Sequence, residues 1–230
     1  MRTLFLAAVG IASIGALTRG AELLRYSFGA TGQETTVETS PAYNATISGA
    51  NLTASPVQDL NGQVGIEISS AATTPVGAPF LRVDPQGNST SGAGAVTAGK
   101  YFEFTVTPDA NFALDLSSLT FDVTRGGGAT PRGFLLRGSA DNFASDLAGQ
   151  DLTTARPTYT PISVTLPGAY TDLAGSATFR FYVYAPAAGN SVDFDNMVLN
   201  GAVAAVPEPA TTALIAAGAL GLVAISRRRR

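Results

Sequence analysis

Cysteine, histidine and tryptophan are all absent from the 230-residue chain, and lysine occurs once, at Lys100. Without cysteine there is no disulfide framework, no thiolate nucleophile and no thiolate zinc site. Without histidine the commonest general base and metal ligand is missing too. A serine nucleophile would lack its imidazole partner, and no Gly-x-Ser-x-Gly turn occurs. Basic charge is also scarce where it would matter for nucleic acid. Setting aside residues 1–20 and everything from Val206 onward leaves eight basic residues against sixteen acidic ones, a net charge of −8. An acidic body offers no basic patch, so a nucleic-acid partner is excluded. The length suits one sandwich-sized domain plus processing segments.

What is present is most informative at the two ends. Met1-Arg2-Thr3 gives a positive start, and Leu4 to Leu17 is an apolar stretch of 14 residues, the length of a signal-peptide core rather than of a membrane span. Cleavage after Gly20 would place small Thr18 and Gly20 where signal peptidase reads, with Ala16 as a weaker alternative. At the other end Val206-Pro207-Glu208-Pro209 precedes an apolar run from Ala210 to Ser226, which is closed by Arg227, Arg228, Arg229 and Arg230. Seventeen helical residues rise about 26 Å, close to the roughly 30 Å of bilayer hydrocarbon. A charge at mid-bilayer costs roughly 2.5–3.5 kcal/mol on insertion scales, so the four arginines are expected to stay cytoplasmic and the body to lie outside. The bland alternative is a buried core helix, but a terminal core helix is not apolar on every face.

Pro207-Glu208-Pro209, a short Ala/Gly/Leu helix and a terminal arginine cluster together resemble the PEP-CTERM sorting signal of exported bacterial proteins. The resemblance covers about 25 of the 230 residues, with its three parts in order. It implies that a membrane-embedded exosortase cuts near Pro207-Glu208-Pro209, with the mature protein released or passed to the envelope surface.

Between the ends, short β-type runs alternate with Gly, Pro, Ser, Thr and Asn. Strands are expected at Leu24–Phe28, Ala45–Leu52, Gln63–Ser69, Tyr101–Thr107, around Leu119–Val123, and at Phe134–Arg137, Ile162–Leu166, Phe179–Tyr184 and Ser191–Leu199. Ala30–Ser40 and Ser69–Pro79 read as connectors. In Tyr101–Thr107 the side chains of Phe102, Phe104 and Val106 share one face; in Phe179–Tyr184 those of Phe179, Phe181 and Val183 do. The expected fold is all-β, an antiparallel two-sheet sandwich of jelly-roll type. It is flanked by the signal peptide (1–20) and the C-terminal transmembrane helix. The sandwich should occupy 21–200, followed by a pliable linker at 201–206 and the sorting segment at 207–230.

Asp193-Phe194-Asp195-Asn196-Met197-Val198-Leu199-Asn200-Gly201 resembles the closing strand of carbohydrate-binding-module-like jelly rolls, and Leu136 to Phe143 is similar to sandwich domains found upstream of such sorting tails. That likeness implies glycan binding in some members and a structural calcium near the chain ends. Asp193 and Asp195, two apart on a strand, point their carboxylates to one face, where oxygen ligands could meet Ca²⁺. The competing reading is two solvated acids at a strand edge, with Asp195-Asn196 as a bulge that re-aims the apolar face from Phe194 to Met197. No other cofactor is expected. Arg180, Tyr182 and Tyr184 would form an outward polar-aromatic stripe on which a sugar ring could stack, or else a case of ordinary cross-strand packing.

The reading is an exported, non-catalytic protein of the cell surface, envelope or biofilm matrix. Its precursor is membrane-anchored with a cytoplasmic C-terminus, and its mature form lies at the surface or outside the cell. Its processing partners are signal peptidase and exosortase, and extracellular polysaccharide is a potential ligand. The alternatives are a glycan-binding module and, third, a secreted glycoside hydrolase, whose two carboxylates the spacing of the acids does not pick out.

Overall fold

The computed structural model of the protein describes residues 21–26, 43–46, 53–55, 66–69, 80–87 and 89–206. The expected signal peptide, the connector Ala30–Ser40, most of the connector Ser69–Pro79, and the segment 207–230 with Pro207, Glu208, Pro209 and the four arginines lie outside the described residues. Among those described, no helix is long and apolar enough to cross a membrane.

The chain folds as two antiparallel sheets packed face to face, the jelly-roll sandwich that the alternation implies. In chain order the strands are β1 (Ala21–Tyr26), β2 (Tyr43–Thr46), β3 (Thr53–Ser55), β4 (Ile66–Ser69), β5 (Phe80–Val83), β6 (Tyr101–Pro108), β7 (Phe112–Arg125), β8 (Gly133–Gly138), β9 (Asp146–Asp151), β10 (Thr160–Thr165), β11 (Ala177–Tyr184) and β12 (Val192–Ala205). Among the described residues a single α-helix, α1 (Gly92–Ala98), lies between β5 and β6. The first sheet has the order β10-β7-β12-β5-β4, and β1 also pairs with β12. The second has the order β2-β6-β11-β8-β9, and β3 also pairs with β6. In each sheet two short strands share one edge of a long one.

The period-two patterns explain why the faces meet. Phe102 lies opposite Phe181 and Phe104 opposite Phe179 in the β6–β11 register, all four buried. The rings of Phe102 and Phe181 stack with centroids 4.6 Å apart. From the facing sheet, Phe121 on β7 and Phe194 on β12 meet Phe181 edge-on at 5.3 and 5.5 Å. Such pairs add roughly 0.5–1.5 kcal/mol beyond area burial, so Phe181 is the centre of the core.

The Asp195-Asn196 bulge occurs as the sequence suggests. The β12–β7 register shifts between Asp195 and Val198, and Asn196 adopts a left-handed φ of 46°. Phe194 and Met197 are consequently both buried, three residues apart on one strand. Three strands were not legible: β3, whose three residues fall just after the expected strand Ala45–Leu52, β5, whose four residues follow the Gly/Pro-rich stretch, and β9, whose Asp-Leu-Ala-Gly-Gln-Asp is polar because it edges a sheet. The helix α1 was hidden in a Gly/Ala run; Ser91 caps it by accepting from the Gly94 N–H at 3.2 Å, and Gly99 ends it at φ 64°. The pliable linker expected at 201–206 is corrected as well. Gly201 to Ala205 belong to β12 and pair with Leu116 to Phe112 of β7.

Candidate functional site

Three places gather the residues that the sequence singled out: the outer face of each sheet, and the end of β12. On the first sheet, Asp193 lies opposite Arg82 of β5 and Thr124 of β7. Strand alternation directs it away from the Phe194 core, yet it is fully buried, because the segment 152–160 crosses over this face. That segment is fastened by the Thr124 hydroxyl, which lies 2.7 Å from the Thr158 carbonyl and 3.1 Å from that of Thr154. It delivers Arg156, whose Nε stands 3.0 Å from Asp193 Oδ2 and whose Nη2 donates to the Gly126 carbonyl at 2.8 Å. The Ser191 hydroxyl donates to Asp193 Oδ1 at 3.0 Å, and Arg82 Nε lies 3.8 Å from the same oxygen. The guanidinium groups of Arg82 and Arg156 both lie 5.5 Å from the Phe80 ring centroid. Buried Arg132 donates through Nη1 to the Ser191 carbonyl at 3.0 Å and through Nη2 to Asn190.

Burial pushes the Asp193 carboxyl up to about 6, against the pull of Arg156, the Ser191 hydroxyl, Arg82 and Arg132. Burial also pushes Asp195 up to about 7; its own neighbour's N–H, from Asn196, opposes this, and the Asp122 carboxylate directly across on β7 adds to it. The calcium expectation is corrected accordingly. Asp193 and Asp195 do share a face, but Asp193 faces guanidinium groups, and among the described residues no three acids converge on one point. An ion at Asp193 would have to displace Arg156. Nor are the two acids solvated, since they are 0% and 3% exposed.

On the second sheet Tyr182 and Tyr184 point outward, as alternation requires, but α1 covers them. Ala95 packs on both with no exposed surface, and Tyr101, Leu135 and Val96 complete the cluster. The Tyr184 hydroxyl donates to the Asp151 carboxylate and is 3.2 Å from the Gln150 carbonyl, so burial and that carboxylate both push its pKa up. Tyr101 meets Tyr182 edge-on at 5.2 Å. The open stacking stripe expected at Arg180, Tyr182 and Tyr184 is therefore not there. Arg180 stays partly exposed, donating through Nε to Glu103 Oε2 at 2.7 Å, with its guanidinium 4.4 Å from the Tyr101 ring and 3.7 Å from that of Phe143. Sequence reasoning missed Arg156, Arg82 and Arg132 around Asp193 and α1 over the tyrosines, since both arrangements depend on contacts between distant segments.

A shallow groove of about 370 Å³ runs beside α1, edged by Leu135, Asp146, Gln150, Asp151 and Tyr184. A second, of about 430 Å³, lies on the first sheet between Arg25, Asp122, Ile162 and Asn196. Both fall within the size range of small-ligand sites.

At the end of β12, Ala202 to Ala205 lie opposite Asp115 to Phe112, and the Val206 N–H donates to the Asn111 carbonyl at 2.7 Å. Val206 is 43% exposed. The fold thus holds the chain up to the residue before Pro207.

Fold and site define an all-β jelly-roll sandwich whose last strand runs directly into the Pro-Glu-Pro segment. Residues 205–230 match the PEP-CTERM protein-sorting motif. No curated protein matches the chain. Among solved structures, the K3 cleaved adhesin domain of Lys-gingipain from Porphyromonas gingivalis is 15% identical, covering 79% of this chain and 98% of its own, at a TM-score of 0.42. TmCBM61 in complex with β-1,4-galactotriose is 11% identical, with coverages of 78% and 97% and a TM-score of 0.42. The CBM22-1 xylan-binding domain of Paenibacillus barcinonensis Xyn10C is 11% identical, with coverages of 79% and 95% and a TM-score of 0.41. At these TM-scores none of the three carries an argument about what this chain binds.

Proposed function

We propose that the protein is exported as a precursor and sorted through its C-terminal segment, leaving a non-catalytic β-sandwich at the cell surface or in the extracellular matrix. The observation that carries this reading is the sorting-motif match at 205–230, which starts where β12 ends. The amino-terminal signal delivers the chain, signal peptidase removes it, and the apolar run Ala210–Ser226 holds the tail in the membrane with Arg227 to Arg230 inside. Pro207 and Pro209 disfavour helix on both sides of Glu208, which keeps the backbone open to an exosortase. Hydrolysis there breaks one peptide bond, water's hydroxyl going to the carbonyl carbon and its proton to the departing amine. The domain division that follows is signal 1–20, sandwich up to the end of β12, and sorting segment 207–230. A structural role is supported by the commitment of candidate acids to arginines, Glu103 to Arg180 and Asp193 to Arg156.

Mass spectrometry of the native protein tests this. Mature chains ending near Pro207-Glu208-Pro209 are expected; retention of Arg230 in all of the exported protein would overturn it. Polysaccharide binding is the second reading, favoured by the groove beside α1, where Asp146, Gln150 and Asp151 offer acid and amide groups to sugar hydroxyls. Pull-down with matrix polysaccharide is the check, and loss of capture in Gln150→Ala is the expected outcome.

A further inference from the structure

We infer that the end of β12 must unpair from β7 before the chain can be cut, so that the folded sandwich itself governs its processing; this rests on the sorting reading above. An extended peptide is commonly recognised by pairing its backbone groups with those of a partner. Here the first two residues of the matched segment, ahead of Pro207, are already paired. Ala205 lies opposite Phe112, and the Val206 N–H is bonded to the Asn111 carbonyl, one residue ahead of Pro207. A membrane enzyme working near Pro207-Glu208-Pro209 meets the sandwich at once.

The same stretch is built to release. Among the described residues no other strand supports β12 beyond Gly201, since β1 pairs with it only up to there, and β10 pairs with β7 only from Ser118 onward. On that side β12 is held by its pairing with β7 alone, and strands paired on one edge only open more readily than those paired on both. The last two residues of β12, Ala204 and Ala205, and Val206 after them are exposed, whereas Val203 packs against the core and its partner Leu114 is fully buried and bridged to Leu173. Opening therefore runs easily back to Ala204 and stops at Val203. Three extended residues add about 10 Å of reach.

The chain lacks cysteine, so a cross-link can be placed without competition. Phe112 and Ala205 flank the Val206–Asn111 bond, between hydrogen-bonded pairs, where Cβ atoms come closest. In cells of the native host, the full-length Phe112→Cys, Ala205→Cys variant is followed from precursor to mature form after diamide oxidation and after reduction. At least tenfold slower cleavage is expected when it is oxidised, with the wild-type rate restored on reduction. Eight Gly/Ser residues inserted between Val206 and Pro207 should restore that rate even in the oxidised protein. The variant Val203→Gly, which needs no cross-link, should be processed several-fold faster than wild type. Equal rates for oxidised and reduced protein, failure of the insertion to rescue, or an unchanged rate in Val203→Gly would each overturn the inference. If wild type itself never loses Arg230, the sorting reading falls first and this inference with it.

Discussion

The Asp193 carboxylate on β12 stands 3.0 Å from Arg156, which arrives from the segment crossing the outside of the same sheet. That pair ties the 152–160 crossing to the central strand, with Ser191 and Arg82 on the second oxygen. Breaking a buried ion pair from one side leaves an uncompensated charge and costs about 3–5 kcal/mol. Asp193→Ala is therefore expected to lose that much in urea denaturation. The double variant Asp193→Ala, Arg156→Ala should lose less than the two single losses added together, because the orphaned guanidinium is gone. Additive losses would show that the two side chains act independently.

Asp195 makes stability depend on pH in the direction opposite to that of a salt-bridged acid. Its carboxyl is pushed up to about 7 by burial, with Asp122 adding to the effect. From about pH 4 upward the unfolded chain releases the proton while the folded one keeps it, so stability falls as pH rises to about 7 and then levels. At about 1.4 kcal/mol per pKa unit the loss is on the order of 4 kcal/mol. Asp193, pushed up to about 6, contributes with the same sign over the lower part of that window. Replacing Asp195 by Asn should flatten the profile of Tm between pH 4 and 8 and leave the variant more stable than wild type at the upper end. Parallel profiles for the two proteins would dispose of this.

Phe181 touches both sheets, stacking on Phe102 and meeting Phe121 and Phe194 edge-on. Truncation at such a position costs roughly 3–5 kcal/mol through lost transfer and the cavity left behind. Phe181→Ala should reach that range in urea denaturation. A loss under 1 kcal/mol would mean that the neighbouring rings collapse into the space.

The strands with strict alternation were legible from residues alone, and so was the Asn196 bulge, because a Phe194-to-Met197 spacing of three on an otherwise period-two strand admits no other geometry. The sorting segment was legible for a different reason, since charge and apolar length are properties of the sequence itself. What alternation cannot tell is whether an outward face meets water. Asp193, Asp195, Tyr182 and Tyr184 all point outward from their sheets, and all four are covered, the acids by the 152–160 crossing and the tyrosines by α1. Both covers come from segments whose local sequence gives no sign of where they dock. The 201–206 stretch failed similarly: its small residues look pliable, but β7 is long enough to pair them.

The cover over the tyrosines can be lifted. Gly92 lets α1 lie close to β8, since a Cβ there would come 2.7 Å from Leu135 Cδ1. Ala95 is the residue pressed onto Tyr182 and Tyr184. A helix of seven residues is not stable by itself and depends on that packing and on the Ser91 cap, which is worth about 1 kcal/mol. In Ala95→Arg the long charged side chain cannot enter the closed contact, so α1 should detach while the two sheets, whose core lies on the other side, remain folded. Nitration by tetranitromethane, mapped by mass spectrometry, reads this directly. In wild type Tyr182 and Tyr184 are expected to be protected; in Ala95→Arg both should label, with the urea transition of the sandwich retained. Equal labelling of Tyr184 in both proteins would mean that the helix does not seal this face. Polysaccharide capture gained only by the variant would mean that the aromatic stripe can stack sugar once α1 is displaced.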